Sequence, residues 1–352
     1  MRQKYVLMFI FILFIFTIIL LIVIRTDQSN SKISSKSSET EFTTNQNLVQ
    51  DTVPFEELTI PYLRKYYYES QLGELDQISQ NSKYTSYLTN YVSDDFKIDG
   101  LLTIPDGEQP SDGWPAIIFI HGYIPPDQYK TLSKYVEYVD YLARSGFVVF
   151  KIDLRGHGES EGDAHGAYYS SDYIRDVMNA QTALQQTDFV NPSKIGLWGH
   201  SMAGNIVSRT MAARPEITTG VIWAGAVYTY QDMKDYAIND SSYIKQDINY
   251  NKKEERERLF DIHGTFSSDS LFWNEVSPIE YLKDSNSAIQ IHHAVNDSVV
   301  SIEYSRNLVE KTKESNLKIE LWEYPNGGHN IEDPSFSLAM QRTVEFYTKH
   351  FE

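Results

Sequence analysis

Apolar positions along this chain fall into two regimes. From about residue 85 onward, short apolar runs alternate with longer stretches whose apolar residues recur at helical spacing. SYLTNYV (86–92) and FKIDGLLTI (96–104) predict a hairpin, and PAIIFI (115–120) predicts a buried strand. A helix over about 130–145 leads to the strand GFVVFKIDL (146–154), and a helix over about 171–187 leads to KIGLWG (194–199). A helix from Met202 to about Ala213 follows, then the strands GVIWAGAV (220–227), AIQIHHAV (288–295) and LKIELWEY (317–324), with helices over about 301–315 and 335–350. Strands that alternate with helices predict a mostly parallel sheet covered on both faces, because parallel neighbours need crossovers and the crossovers pack on the sheet.

The alternation breaks at 228–285. There YTYQDMKDY, YIKQDINY, KKEERERLF and LFWNEVSPIEYL predict a helical cap inserted after the sixth strand. KKEERER reads as a solvated helix face, and the Tyr, Trp and Phe residues are expected to form the insertion's own small core. With segment 53–85, the insertion is expected to shape the acyl and leaving-group pockets.

The other regime lies at the start. Residues 6–24, VLMFIFILFIFTIILLIVI, hold no charge and would span roughly 28 Å as a helix, close to a bilayer's hydrocarbon core. The run is longer than a signal peptide's apolar core, and Arg25-Thr26-Asp27 follows it with no small-residue cleavage pattern. An uncleaved transmembrane helix is therefore expected in a 1–25 anchor, with Arg2 and Lys4 favouring a cytoplasmic N-terminus and an extracytoplasmic body. Residues 26–52 read as a flexible polar tether and 53–352 as the folded domain.

Net charge is −17, and the first 25 residues hold three basic residues and no acid. The remainder carries 28 basic against 48 acidic residues, a net of −20. Such a body is a poor match to phosphate backbones, so no nucleic-acid partner is expected. The chain has no cysteine, which excludes disulfides and thioester lipid anchors.

Candidate chemistry centres on WGHSMAGN (198–205), a near G-x-S-x-G turn in which Ala203 stands where glycine is expected and Gly204 follows. KIGLWG supplies a strand before it and MAGNIVSRTMAA a helix after it, the context in which a serine is held on a strained turn. Gly199, Ala203 and Gly204 keep the elbow small enough for strand and helix to approach. A serine nucleophile also needs a base, an acid to orient the base, and oxyanion donors. Asp297 follows AIQIHHAV and His329 follows LKIELWEY on a Gly-rich turn, which gives the chain order serine, acid, histidine. The backbone N–H groups of Met202 and of Tyr123, in HGYIPP, are the candidate oxyanion donors. Asp153 and Arg155 in KIDLRGHGES are expected to brace a loop, and Glu303 falls one helical turn too late to be the acid. His121, His157, His200, His292 and His293 read as structural histidines, and no metal spacing or phosphate-binding loop suggests a cofactor.

SDDFKIDGLLTIP, GWPAIIFIHGYIPP, KIDLRGHGESEG, GLWGHSMAGN, HAVNDSVV and YPNGGHNI, in this order, resemble the α/β-hydrolase superfamily, and within it the prolyl oligopeptidase-like and dienelactone hydrolase-like branch. The resemblance covers about 55–352. It implies an eight-stranded, mostly parallel sheet with one antiparallel strand near its start, and it implies the same triad and oxyanion donors. Ala203 departs from the usual glycine, as does His293 before the acid loop. Only about 60 residues separate tether and hydrolase, too few for the β-propeller of prolyl oligopeptidases proper.

The expected activity is a membrane-anchored serine hydrolase, a carboxylesterase on small or medium acyl esters. A peptidase acting on aminoacyl or short peptide substrates is the alternative. An idle hydrolase fold kept as a surface binding protein is the third reading.

Overall fold

The computed structural model describes residues 53–236, 238, 250–283 and 285–352. The anchor at 6–24 and the tether lie outside them. Among the described residues, no helix is long and apolar enough to cross a membrane.

The described strands form one nine-stranded sheet. In chain order they are β1 (Asp76–Gln80), β2 (Tyr84–Ser93), β3 (Phe96–Pro105), β4 (Trp114–Ile120), β5 (Val148–Ile152), β6 (Val190–His200), β7 (Thr219–Trp223), β8 (Ala288–Ala294) and β9 (Lys318–Tyr324). The spatial order is β1-β2-β3-β5-β4-β6-β7-β8-β9. The six strands from β5 to β9 pair in parallel, whereas β1–β2, β2–β3 and β3–β5 are antiparallel. The sheet thus has one strand more than the eight expected. The extra strand, DQISQ, is exposed along its whole length, so no apolar alternation announces it.

Alternation along each central strand divides the core. On β4, Ala116, Ile118 and Ile120 pack on one face of the sheet, and Ile117 and Phe119 pack on the other. The first face is covered by α1 (Ile60–Lys65), α3 (Asp172–Gln185) and α4 (Ala203–Ala213). The second is covered by α2 (Val136–Arg144) and α10 (Phe336–Phe351), with Phe119 stacked on Trp198 at 4.0 Å between ring centres. Burial on both faces is why these strands read as near-continuous apolar runs.

The 228–285 stretch is helical where described, with α5 (Tyr230–Tyr236), α6 (Tyr250–His263), α7 (Leu271–Val276) and α8 (Ile279–Leu282). Tyr230, Leu259, Phe272, Trp273 and Val276 form a separate cluster with Phe55 and Leu58, so the insertion has its own small core. Helix α9 (Glu303–Thr312) then joins β8 to β9.

Candidate active site

Ser201 lies with Met202 between the end of β6 and the start of α4 and has a left-handed backbone (φ +56°). That conformation costs a non-glycine residue roughly 1–2 kcal/mol and persists only where its surroundings over-determine it. Here they do. Ser201 N–H donates to Trp223 O at 2.9 Å, and Ser201 O accepts from Gly204 N–H at 2.9 Å and from Ala226 N–H at 3.1 Å.

The displaced glycine has a steric explanation. A Cβ on Gly199 would lie 2.9 Å from Ala203 Cβ and 2.8 Å from Val207 Cγ2, so the methyl of Ala203 fits because Gly199 is bare. A Cβ on Gly204 would lie 2.8 Å from Gly225 Cα, on the chain leaving β7. The two small positions after the serine therefore serve different neighbours.

Asp297 and His329 meet across the C-terminal ends of β8 and β9. His329 Nδ1 donates to Asp297 Oδ2 at 2.8 Å, which leaves Nε2 as the basic ring nitrogen. Asp297 Oδ1 accepts the Val299 and Val300 N–H groups at 2.8 and 3.0 Å. Asn296 Oδ1 accepts Gly328 N–H at 3.0 Å, a second tie between the two loops. Gly327 and Gly328 take positive φ (+124° and +58°), so the turn carrying His329 uses conformations that side chains disfavour. Burial alone would raise the Asp297 carboxyl. Hydrogen bonds from His293, His329 and the Val300 N–H outweigh it and hold the group well below the ordinary carboxylate range.

A buried relay joins the turn after β4 to the histidine loop. Gly122 N–H donates to Tyr135 Oη at 2.9 Å, Tyr135 Oη lies 2.8 Å from His200 Nδ1, and His200 Nε2 lies 3.0 Å from His329 O. A carbonyl only accepts, so His200 carries its proton on Nε2 and accepts the tyrosine proton at Nδ1. Burial, with His329 nearby, pushes His200 down to about 3, so it stays neutral. A Cβ on Gly122 would lie 3.0 Å from Tyr135 Oη and 3.1 Å from His200 O, so a side chain there would press on the relay. Tyr123 follows at the cleft wall. Met202 N–H opens α4, where helical N–H groups lack intrahelical acceptors.

Asp153 and Arg155 brace loops, as the sequence leads one to expect. Asp153 accepts from the hydroxyls of Tyr129 and Thr131, and Lys151 Nζ donates to the carbonyls of Thr131 and Lys134. Burial raises Asp153 to about 6 and lowers Lys151 to about 8. Arg155 bridges Asp176 at 2.6 Å and Asp94 at 2.8 Å. Glu303 pairs with Arg306 instead of a histidine.

Ser201 and His329 line one open cleft of about 810 Å³ together with Tyr123, Lys134, Tyr138 and Glu332. Its walls come from residues 123–138, 200–201, 299 and 329–336. Among the described residues, none from 228–285 or 53–85 is in its lining. Tyr230, Phe272 and Trp273 pack with Phe55 in the insertion's own core instead. Tyr135, Tyr138 and Asn296 carry no sequence signal for the site, and His200 and His293 are buried, hydrogen-bonded histidines as expected, placed beside it by the fold. Only adjacency to Ser201 and to the acid loop could have singled the last two out.

A family profile described as serine aminopeptidase, S33, matches residues 115–246. An uncharacterized peptidase of Bacillus subtilis is 24% identical over 247 residues, which cover 69% of this chain and 85% of the relative. Acetyl xylan esterase 1 of a Thermoanaerobacterium species superposes with a TM-score of 0.57 at 18% identity, over 83% of this chain and 93% of that one. The acylaminoacyl peptidase of Pyrococcus horikoshii superposes with a TM-score of 0.58 at 18% identity, over 76% of this chain but 42% of that longer one.

Proposed function

We propose, for a chain that is a serine hydrolase of the α/β-hydrolase fold, that Ser201, Asp297 and His329 are its catalytic triad and that small or medium acyl esters are its substrates. His329 Nε2 takes the Ser201 proton as Oγ attacks the ester carbonyl. Asp297 stabilises the resulting imidazolium, and the N–H groups of Tyr123 and Met202 receive the oxyanion. The imidazolium then protonates the leaving alcohol. Water attacks the acyl-enzyme with the same histidine as base and releases the acid. The observation that carries this reading is the 2.8 Å Asp297–His329 hydrogen bond, on a loop that shares its cleft with a left-handed Ser201.

Esters are preferred because the acetyl xylan esterase superposes over 93% of its own length, whereas the acylaminoacyl peptidase superposes over 42% of its own. A serine peptidase acting on aminoacyl or short peptide substrates is the second reading, favoured by the serine aminopeptidase match and the peptidase relative. The test is fluorophosphonate labelling of the wild type and of Ser201→Ala, with p-nitrophenyl esters and aminoacyl anilides turned over in parallel. Labelling that disappears in Ser201→Ala, with ester turnover, is the expected result. Anilide turnover alone selects the peptidase, and an unlabelled, folded wild type overturns the triad.

The uncharged run 6–24 and the basic residues before it support single-pass anchoring, with the hydrolase domain extracytoplasmic. Protease added to intact cells is expected to remove the hydrolase domain and leave the anchor.

A further inference from the structure

His292 and His293 close β8, and strand alternation sends their rings to opposite faces. His292 meets Tyr324 Oη, Gln290 Oε1 and Thr343 Oγ1, deep in the core. His293 faces the acid loop. Its Nε2 lies 3.0 Å from Val300 O and 3.3 Å from Asp297 Oδ2, and its Nδ1 lies 2.7 Å from Ser305 Oγ. The Val300 carbonyl can only accept, so Nε2 carries the proton that points at both carbonyl and carboxylate.

We propose that His293 is a positioning residue for the triad acid, sharing Asp297 Oδ2 with His329 and setting the plane of the carboxylate. The inference rests on the triad reading above. Each carboxylate oxygen is gripped twice: Oδ1 by the N–H groups of Val299 and Val300, Oδ2 by His329 and His293. With only the His329 contact on Oδ2, the carboxylate could follow the imidazole as it moves. A second donor from the strand holds the carboxylate to the fold, so it directs the imidazole. Both His293 and Asp297 have fully buried side chains, so water does not replace the donor. Val300 is itself held from outside by a β-bridge to Ile238.

The same N–H draws off part of the negative charge that would otherwise stabilise a proton on His329. Removing it should therefore loosen the geometry and strengthen the pull on that proton together. The other titratable groups facing this pair are His200, whose ring lies 4.6 Å from that of His329, and Glu332 and Asp333 along the cleft. Glu323, paired with Arg306, lies on the β9 side of His293. All stay unchanged in the test.

The test compares full-length His293→Phe, which keeps a ring without donors, with His293→Gln, whose amide reaches about as far as Nε2. The pH dependence of kcat/KM on p-nitrophenyl acetate is the readout. His293→Phe is expected to lose roughly tenfold in kcat/KM and to move the rising limb of the profile to higher pH. His293→Gln is expected to recover both. A folded His293→Phe with an unmoved limb overturns the proposal, as does a Gln variant that behaves like Phe. Should His293→Phe fail to fold, Ser305→Ala frees the other ring nitrogen and is expected to move the limb the same way by less. An unmoved limb there overturns the proposal equally. Fluorophosphonate labelling of the wild type keeps the two readings apart: an unlabelled Ser201 removes the triad, whereas a labelled Ser201 with an unmoved limb removes only the role of His293.

Discussion

The Tyr135 hydroxyl lies 2.8 Å from His200 Nδ1 and accepts the Gly122 N–H at 2.9 Å, so one side chain spans the turn after β4 and the residue before Ser201. Tyr135→Phe would leave a backbone donor and a ring acceptor unpaired in a buried site. One lost oxyanion-side support is worth roughly 10-fold to 100-fold in kcat, with KM nearly unchanged. Steady-state kinetics on a short ester checks this, and a variant as fast as the wild type would deny the relay any part in positioning the turn.

Asp297→Asn keeps the shape of the acid but not its charge. The amide can also turn its NH2 towards His329, which would then hold its proton on Nε2 and lose its basic nitrogen. A fall in kcat of roughly 10³–10⁴-fold is expected, with the fold retained, as read by stopped-flow turnover and circular dichroism.

Steric coupling at the elbow gives a sharper forecast. Gly199→Ala places a methyl 2.9 Å from Ala203 Cβ and should cost about 1–3 kcal/mol of stability. Ala203→Gly alone should leave activity close to wild type. The double variant should recover part of the Gly199→Ala loss, because one of the two clashing methyls is gone, while Val207 at 2.8 Å keeps the rescue incomplete. Additive denaturation midpoints would refute the explanation given for the displaced glycine.

Asp153 carries a pH signature. Its folded-state value, about 6, lies above its ordinary 3.8 because of burial. The protonated form is thus favoured in the fold, and the contribution of this group to stability falls as pH rises from about 4 to about 6. In that window Asp153→Asn should lack a decline worth about 3 kcal/mol. Urea midpoints of wild type and variant at pH 4 and pH 6.5 measure the difference, and parallel slopes would contradict it.

The alternation of strands and helices was legible because the central parallel strands bury both faces and read as apolar runs. The candidate site was legible for a related reason. Ser201, Asp297 and His329 each lie within a few residues of the end of a strand, so chain order brings them to the same edge of the sheet. β1 was illegible, since an exposed polar edge strand is specified by pairing with β2 and by nothing in its own pattern. The aromatic residues of the insertion read as a small core of their own, and the structure adds Phe55 and Leu58 as that core's distant partners.

By itself, then, the sequence determined the strands that bury an apolar face, the small residues of the elbow, and the chain order of serine, acid and histidine, because each is written in a local pattern or in the order of the chain. Tertiary structure alone decided what Tyr135, His200 and His293 touch. Tyr135 and His200 lie 65 positions apart and His200 and His329 lie 129 apart. Hydrogen bonds are directional and short-ranged, so their partners exist only once the sheet has brought those distant loops to within about 3 Å.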